Sequence, residues 1–444
     1  MKYAVILGDG MADLPEACPG GRTPLELART PVLDRLCGGG ETGLVRTVPE
    51  GMAPGSDTAN LSILGYGGKR YYRGRASLEA LALGICLRVH DLAFRCDLTG
   101  LSGDGPAFEE MQMGGPGALA GKEEEAYISV KEAMGKESAL SLVPGRNGKC
   151  LLLWKDGLLK SPGLMNDAAG GCGLVPPHEM MGKRIGDFLP EQRALRKFSE
   201  DSYLALKARF PRERACFWLW GAGTACELPD FSEKTGLSGA AVTATGVIKG
   251  LALAAGLKLL SVPGADGSLD TDYGGKARAA LKALLEAGMD FCYVHLEAPD
   301  AAGHKGSFEE KIRAIENLDR LVAGPIYQGL KESGEEFRIL VLPDHATPAV
   351  LKIHTAGPVP YLLYDSRRKA VRSRPYCEKE AEKTGILVPE GQRLLDRFLF
   401  KGVERRYGWK DIRCRSGPGG SGASDHKSCK AHKKRRSHRD PGGA

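Results

Sequence analysis

Short apolar runs alternate with amphipathic segments along most of this chain. Residues 3–7 (YAVIL), 291–296 (FCYVHL) and 339–342 (ILVL) are three such runs, and each stops abruptly at Gly, Pro or a charged residue. Short apolar runs bounded in this way predict buried β-strands. Residues 150–154 and 216–220 are further runs of this kind in the middle of the chain.

Helical periodicity is strongest just after the second of these runs. Phe308, Ile312, Ile315 and Leu318 recur at helical spacing, and charged residues occupy the intervening positions. This pattern predicts an amphipathic helix that packs on a sheet. Two further helices are predicted at about residues 247–255 and 275–287.

The order of these elements predicts the fold class. Strand, loop and helix alternate through residues 1–90 and again from about 259 to 400, whereas the middle region has its own strands and helices. We expect an α/β protein whose mainly parallel sheet carries helices on both faces and is interrupted by an inserted smaller α/β (α+β) domain. The expected boundaries are 1–75 with 263–405 for the discontinuous domain, 76–262 for the insertion and 410–444 for a tail.

Residues that can bind a metal follow each of the three apolar runs. In an open parallel sheet, ligands bind beyond the carboxyl ends of the strands, so these residues should converge at one edge. The six candidates are Asp9, Asp300, His304, Asp344, His345 and His354. A mixed Asp/His set suits Mn²⁺, Zn²⁺, Co²⁺ or Mg²⁺, and six ligands exceed the needs of one ion, which indicates a two-metal site. Any single pair, such as Asp300 and His304, is alternatively a surface ion pair or a helix cap.

Ser56 is the candidate nucleophile. It lies in the segment APGSDTAN (residues 53–60), which has the composition of a helix N-terminus. In the simpler interpretation Ser56 only caps that helix. A serine at this position also faces unpaired backbone N–H groups that suit a phosphate, and metal coordination would activate its hydroxyl.

The basic charge of the chain is concentrated in its tail. Between Lys410 and Ala444 there are ten basic and three acidic residues, which account for the whole net charge of +7. The tail is rich in Gly, Ser, Lys and Arg, so we expect it to be disordered. The run KKRR at 433–436 could touch nucleic acid, but the neutral body argues against nucleic-acid binding as the main function. No apolar stretch approaches the ~20 residues of a membrane span, and scattered cysteines favour a cytoplasmic location.

Several motifs together resemble one family. MAPGSDTANLSILGY, PDAAGH, LPDHATP and HTAGPVP resemble the archaeal-type, cofactor-independent phosphoglycerate mutases of the alkaline phosphatase superfamily, and the likeness runs in order over about residues 1–400. The resemblance implies an alkaline-phosphatase-like sheet, interconversion of 3- and 2-phosphoglycerate without bisphosphoglycerate, and two divalent ions, with Mn²⁺ expected first. It also implies the two ligand sets: Asp300, His304 and His354 for one ion, and Asp9, Asp344, His345 and Ser56 for the other, with Ser56 as the phosphorylated nucleophile.

The same resemblance suggests substrate contacts. They are Asp57, Arg75 in RGRAS, Arg95 in AFRCD, His178 in PPHEMMGK and Lys276 in YGGKA. Arginine suits phosphate and carboxylate through its bidentate fork, although each of the basic residues could equally be a surface or interface charge. In the implied mechanism, phosphoglycerate binds between the two domains and closure of the insertion excludes water.

Two alternatives remain open beside the mutase. Trp220 stands where an Arg is expected in many archaeal members, and this version leans toward a branch proposed to be homoserine kinases. A related phosphotransferase or a phosphatase on the same scaffold would keep the metal chemistry. Of partners, we expect a small phosphorylated substrate and no membrane; a homo-oligomer is compatible with the sequence.

Overall fold

The computed structural model describes residues 1–103, 107–135, 138–145, 148–165, 174–368 and 373–400. The predicted tail at 410–444 lies outside these residues. The strands are β1 (Lys2–Gly8), β2 (Glu41–Val45), β3 (Leu92–Ser102), β4 (Gln112–Pro116), β5 (Leu140–Val143), β6 (Lys149–Trp154), β7 (Ala215–Gly223), β8 (Gly239–Val242), β9 (Lys258–Leu259), β10 (Phe291–Leu296), β11 (Phe337–Leu342), β12 (Val359–Asp365) and β13 (Leu387–Val388).

The helices fill the connections between these strands. They are α1 (Pro24–Leu27), α2 (Pro31–Gly39), α3 (Ser56–Ile63), α4 (Gly68–Tyr71), α5 (Arg75–Ala82), α6 (Glu123–Ala133), α7 (Gly157–Lys160), α8 (Arg193–Arg209), α9 (Phe231–Thr235), α10 (Gly246–Ala254), α11 (Tyr273–Leu281), α12 (Ala298–Lys305), α13 (Phe308–Asn317), α14 (Gly324–Glu332), α15 (Glu378–Glu382) and α16 (Gln392–Phe400). Segments Lys282–Glu286 and Leu318–Ala323 continue α11 and α13 with π-helical hydrogen bonding. The three helices predicted from periodicity are confirmed as α10, α11 and α13.

An eight-stranded sheet forms the larger layer, in the order β13-β2-β12-β11-β1-β10-β8-β9. The five strands from β11 to β9 run parallel to one another, β13 runs parallel to β2, and β12 pairs antiparallel with both β11 and β2. All three predicted strands are central, because β1 lies between β11 and β10. The predicted mainly parallel sheet is therefore confirmed.

Both faces of this sheet are covered by helices. Alternate residues of β1 point to opposite faces: Ala4 and Ile6 join one apolar cluster, and Val5 and Leu7 join another. The first cluster includes residues of α2, α11, α13 and α14, and the second includes residues of α3, α10 and α16. Parallel strands buried on both faces are continuously apolar, which explains the runs seen in the sequence.

A second, smaller sheet is built from the middle of the chain. Its order is β4-β3-β6-β5, β7 also pairs with β3, and all of its pairs are antiparallel. The strands predicted at 150–154 and 216–220 lie in β6 and β7. Helices α6 and α8 contribute Val130, Phe198 and Leu206 to the apolar cluster on this sheet.

The end of the predicted insertion needs correction. Strands β8 and β9 lie within 76–262, yet they belong to the large sheet, where β8 pairs in parallel with β10. Helix α10 also packs on the large sheet, through Val247, Ile248 and Leu251. The chain therefore returns to the large sheet at Gly239, inside the predicted 76–262 segment, while the division into two domains stays a prediction. Within the described residues, none of the helices combines the length and apolar character that crossing a membrane requires.

Candidate metal centre

The strand ends place the predicted ligands at one edge of the large sheet. Leu7 of β1 is level with Leu342 of β11 on one side and with His295 of β10 on the other. Asp9 and Asp344 each follow their strand by one or two residues, so both carboxylates lie just beyond this edge. This is where parallel α/β sheets bind ligands.

One cluster consists of Asp300, His304 and His354. Asp300 and His304 lie four residues apart on α12, and the His304 Nε2 atom is 3.4 Å from Asp300 Oδ2. The loop after β11 brings His354 Nε2 to 3.5 Å from Asp300 Oδ1 and 2.8 Å from His304 Nε2. The three ligand atoms are thus close enough to surround one ion.

The tautomers of the two histidines fit a cation. His304 Nδ1 is 2.9 Å from the carbonyl oxygen of Lys352, and His354 Nδ1 is 3.4 Å from that of Pro54. A carbonyl oxygen only accepts, so both Nδ1 atoms carry the proton, and in the neutral rings both Nε2 atoms present lone pairs. Two lone pairs facing each other beside a carboxylate repel one another, and a divalent cation between them removes that repulsion.

The second cluster consists of Asp9, Ser56, Asp344 and His345. The Ser56 Oγ atom is 3.4 Å from each carboxylate oxygen of Asp9 and 3.3 Å from His345 Nε2. His345 Nε2 in turn is 3.6 Å from Asp9 Oδ1 and 3.5 Å from Asp344 Oδ2. All four side chains are buried.

The position of Ser56 does not agree with the interpretation that it only caps a helix. Helix α3 begins at Ser56 itself, and Gly55 occupies the N-cap position. The Ser56 hydroxyl lies against Asp9 and His345 and makes no capping hydrogen bond among the described residues. The geometry therefore leaves the hydroxyl directed at the cluster, as a nucleophile requires.

Negative charge is concentrated in this site, because the carboxyl groups of Asp9, Asp300 and Asp344 lie close together. Burial raises the pKa of Asp9 well above its usual range, and the carboxylates of Asp344 and Asp300 raise it further. Burial also opposes ionisation of Asp300, but His304 and His354, whose rings face it and donate to it when they are imidazolium ions, hold its pKa well below the usual range. Buried carboxylates of this kind are stabilised by bound cations, and the donor set fits divalent ions.

Sequence reasoning missed several residues that support the ligands. Asn60 Nδ2 donates to Asp344 Oδ2 at 2.8 Å, and the hydroxyl of Tyr293 donates to Asn60 Oδ1. Thr347 Oγ1 donates to Asp300 Oδ1 at 2.6 Å. Asn60 follows Ser56 by four residues, so the two share one face of α3, a signal that the sequence did contain.

His295 is a further missed residue. It is fully buried in β10, its Nε2 atom is 3.3 Å from Asp9 Oδ2, and its Nδ1 atom is 3.3 Å from Glu297 Oε1. Burial lowers the pKa of His295, but the carboxylates of Asp9 and Glu297 outweigh it and raise the pKa to about 10. The sequence pattern does not single out His295, because it lies inside the apolar run of β10.

Two of the predicted substrate contacts lie beside the predicted metal ligands. The ring of His178 is 6.4 Å from that of His304 and 6.3 Å from the indole of Trp220, between centroids. Asp57 follows Ser56 on α3, and the hydroxyl of Tyr72 donates to its Oδ2 atom at 2.6 Å.

The two predicted arginines form one network with acidic neighbours. Arg95 on β3 donates to Glu79 at 2.5 and 2.6 Å and to both oxygens of Asp97. Arg75 donates through Nε to Glu79 Oε1 at 2.9 Å, and its terminal nitrogens have no hydrogen bond to the part of the chain that the structure describes. The indole of Trp220 covers both guanidinium groups, at 5.5 Å from Arg75 and 4.9 Å from Arg95.

Lys276 departs from its predicted place. Its ammonium group is fully buried, 2.5 Å from Glu297 Oε2 and 2.9 Å from the carbonyl oxygen of His295. The structure therefore places Lys276 in support of Glu297 and His295, and not on a surface that a substrate can reach.

Comparison with known proteins shows the family of this chain. Residues 1–401 match the family described as the metalloenzyme superfamily. The chain is 40% identical over 427 residues to the 2,3-bisphosphoglycerate-independent phosphoglycerate mutase of Methanothrix thermoacetophila, covering 90% of this chain and 100% of that protein. This chain belongs to the 2,3-bisphosphoglycerate-independent phosphoglycerate mutase family. The family predicted from the motifs is therefore confirmed.

Two solved structures have the same architecture as this chain. A protein from Pyrococcus horikoshii superposes with a TM-score of 0.71 at 27% identity, covering 92% of this chain and 99% of that one. The cofactor-independent phosphoglycerate mutase of Thermoplasma acidophilum superposes with a TM-score of 0.55 at 22% identity, covering 90% and 99% of the two chains. The second likeness concerns the fold alone.

Proposed function

We propose that this chain interconverts 3-phosphoglycerate and 2-phosphoglycerate through a phosphoserine at Ser56, using two divalent cations and no bisphosphoglycerate. The observation that carries the proposal is the position of the Ser56 hydroxyl. It lies within 3.4 Å of Asp9 and His345 at the first residue of α3, where backbone N–H groups can receive a phosphoryl group. The homoserine-type alternative is not favoured, because the curated relative described above is named as a mutase.

The reaction balances as two transfers of one phosphoryl group. Ser56 Oγ attacks the phosphorus of 3-phosphoglycerate, loses its proton, and the bond from phosphorus to the C3 oxygen breaks; that oxygen takes up a proton. After glycerate reorients, its 2-hydroxyl oxygen attacks phosphoserine 56 and loses its proton, and Oγ is released and protonated. Bound cations would lower the pKa of the Ser56 hydroxyl and neutralise phosphoryl oxygens.

The two ligand clusters are proposed to hold one cation each. Asp300, His304 and His354 would hold the first, and Asp9, Ser56, Asp344 and His345 the second. Mn²⁺ is the ion we propose, because carboxylate and imidazole ligands in equal measure suit it; Co²⁺, Zn²⁺ and Mg²⁺ are the ions to compare with it.

Residues near the small sheet are proposed to retain the glycerate. Arg75 is the best placed, because its terminal N–H groups are not used by the described residues and can bind a carboxylate. His178 lies between Trp220 and His304, so it can contact a substrate held beside the first cluster. Asp57 and Arg95 already bind Tyr72, Glu79 and Asp97, so we assign them to positioning.

The test compares two serines of the same helix. Ser56→Ala should abolish turnover of 3-phosphoglycerate in an enolase-coupled assay with Mn²⁺ and no added bisphosphoglycerate. Ser62→Ala removes a buried hydroxyl six residues further along α3 that belongs to neither cluster, and it should keep near-normal activity. Brief incubation with labelled phosphoglycerate should label Ser56 in the active protein. Substantial activity in Ser56→Ala, or release of inorganic phosphate as the main product of the unmodified protein, would contradict the proposal.

A further inference from the structure

His295 faces the second cluster from inside the sheet. On β10, Tyr293 and His295 point to the same face, and Tyr293 reaches Asn60 on α3, the helix that begins with Ser56. His295 pairs in register with Leu7, two residues before Asp9. The strand pairing therefore places the imidazole of His295 next to the carboxylate of Asp9.

The Nε2 atom of His295 has no hydrogen-bond partner in the described residues, although it is completely buried. It lies 3.3 Å from Asp9 Oδ2 but forms no hydrogen bond with it. With carboxylate oxygens of Asp9 and Asp344 it forms a group whose atoms all lie within 4.8 Å of one another. Unpartnered buried nitrogens are rare and require an explanation.

The opposite ring nitrogen is firmly held. His295 Nδ1 lies 3.4 Å from Thr243 Oγ1, and the Thr243 hydroxyl donates its proton to Glu297 Oε1 at 3.1 Å, so Nδ1 carries the ring proton and Thr243 accepts it. Glu297 Oε1 is itself 3.3 Å from Nδ1. Glu297 Oε1 also accepts from the backbone N–H groups of Ala244 and Thr245, at 2.7 and 3.0 Å. Lys276 Nζ donates to Glu297 Oε2 at 2.5 Å. These hydrogen bonds hold the carboxylate of Glu297 in the position from which it orients the ring of His295.

We propose that His295 Nε2 is a further protein ligand of the cation held by Asp9, Ser56, Asp344 and His345, and that Glu297 and Lys276 are its positioning residues. A carboxylate beside the second nitrogen of a metal-bound histidine is a recurrent arrangement, because it fixes the tautomer and makes the ring a stronger donor. Five protein ligands suit an ion that takes more than four, such as Mn²⁺, better than the four-coordinate sites usual for Zn²⁺. The inference rests on the proposed metal-dependent function.

A different role would give the opposite result. If His295 were an imidazolium that only neutralises Asp9, its replacement by a neutral residue would remove a positive charge beside the ion. Mn²⁺ affinity would then stay unchanged or rise. Loss of a ligand lowers the affinity, so the sign of the change separates the two roles.

The experiment measures Mn²⁺ binding to the full-length protein by calorimetry, without substrate. Wild type should bind two ions, whereas His295→Gln should bind the second ion roughly 10–100-fold more weakly. Glu297→Gln should weaken it in the same direction, and it serves as the second variant if His295→Gln does not fold. His90→Gln replaces an exposed histidine and should leave binding unchanged. The visible spectrum of the Co²⁺-loaded protein should change in His295→Gln and not in His90→Gln.

Two outcomes would overturn the inference: folded His295→Gln with two Mn²⁺ ions bound at wild-type or higher affinity, or folded Glu297→Gln with unchanged affinity and Co²⁺ spectrum. Because substrate is absent, the result is independent of the mutase reaction. A protein that binds two ions but does not convert 3-phosphoglycerate would contradict the proposed function and leave the assignment of His295 intact.

Discussion

Lys311 connects the two chain segments that carry the second cluster. This side chain of α13 is fully buried, and its ammonium donates to the carbonyl oxygens of Ala12 and Thr347 at 2.9 and 2.8 Å. It also donates to Asp13 Oδ2 at 3.0 Å, and the same oxygen accepts from the backbone N–H of Ala349 at 3.1 Å. The Lys311 ammonium thus links the segment that follows Asp9 to the segment that follows His345.

Lys311→Met keeps most of the side-chain volume but removes the charge and all three hydrogen bonds. The carboxylate of Asp13 then stays buried without its cation. Removing one partner of a buried ion pair costs roughly 3–5 kcal/mol, because the remaining charge is not compensated. Against a total stability of about 5–15 kcal/mol, this loss is large enough to shift an unfolding curve substantially. Asp13→Asn added to Lys311→Met should recover part of the loss, about 0.5–3 kcal/mol, because the two groups contact each other directly.

The assay is urea unfolding in the presence of EDTA, so that bound metal does not contribute. Arg313→Ala on the same helix is the control: its guanidinium is 2.7 Å from Asp270, but the two side chains are 58% and 83% exposed. Such a surface pair contributes about 0–1 kcal/mol. The reasoning is refuted if Lys311→Met costs no more than Arg313→Ala, or if the losses in Lys311→Met and Asp13→Asn simply add.

Three further predictions concern the ligands, the backbone and the ions. Asn60→Ala removes the donor to Asp344 and should lower Mn²⁺ affinity roughly 10–100-fold in calorimetry, with Ser62→Ala unchanged. Gly74→Ala should destabilise the protein by at least about 1–3 kcal/mol in urea, because φ is +92° and a Cβ would lie 1.8 Å from the carbonyl oxygen of Ala222. Gly84→Ala, where φ is +76° and the added Cβ meets open space, should lower the stability less. An equal loss of stability in the two variants would contradict a steric clash at Gly74. At free Mn²⁺ of 100 times its Kd, each bound ion should add about 2.7 kcal/mol, so EDTA should lower the thermal midpoint; an unchanged midpoint would show that no ion binds the folded state.

The sequence was most informative where polar residues interrupt apolar runs. Asp9, Asp300 and Asp344 each follow a strand that is buried on both faces, and a carboxylate in that position stands out. The structure brings all three to one sheet edge, because β10, β1 and β11 are adjacent and parallel. Strand adjacency itself could not be derived from the sequence, since it depends on pairings across 288 and 335 residues.

The sequence analysis missed or misplaced polar residues that are fully buried in the structure. His295 lies within an apolar run, where a histidine is usually taken as part of the core, and its partner Asp9 is distant in sequence. Lys276 was assigned to the substrate on the resemblance of the segment YGGKA to the family, and lysines are rarely fully buried. Its burial is stabilised by Glu297, which the fold brings within 2.5 Å. Strand β8 (GAAV) was also missed as part of the large sheet, because its small residues give a weak strand pattern.

Trp220 shows how a substitution can be misjudged from sequence. An aromatic residue in place of an expected arginine suggests the loss of a cationic contact. In the structure its indole lies over the guanidinium groups of Arg75 and Arg95, and its Nε1 donates to Asp97 at 3.0 Å. Two cations therefore remain at this position, held against an aromatic face that restricts their movement. A restricted guanidinium loses less entropy when it binds an anion, so Trp220 is compatible with binding of a phosphorylated carboxylate.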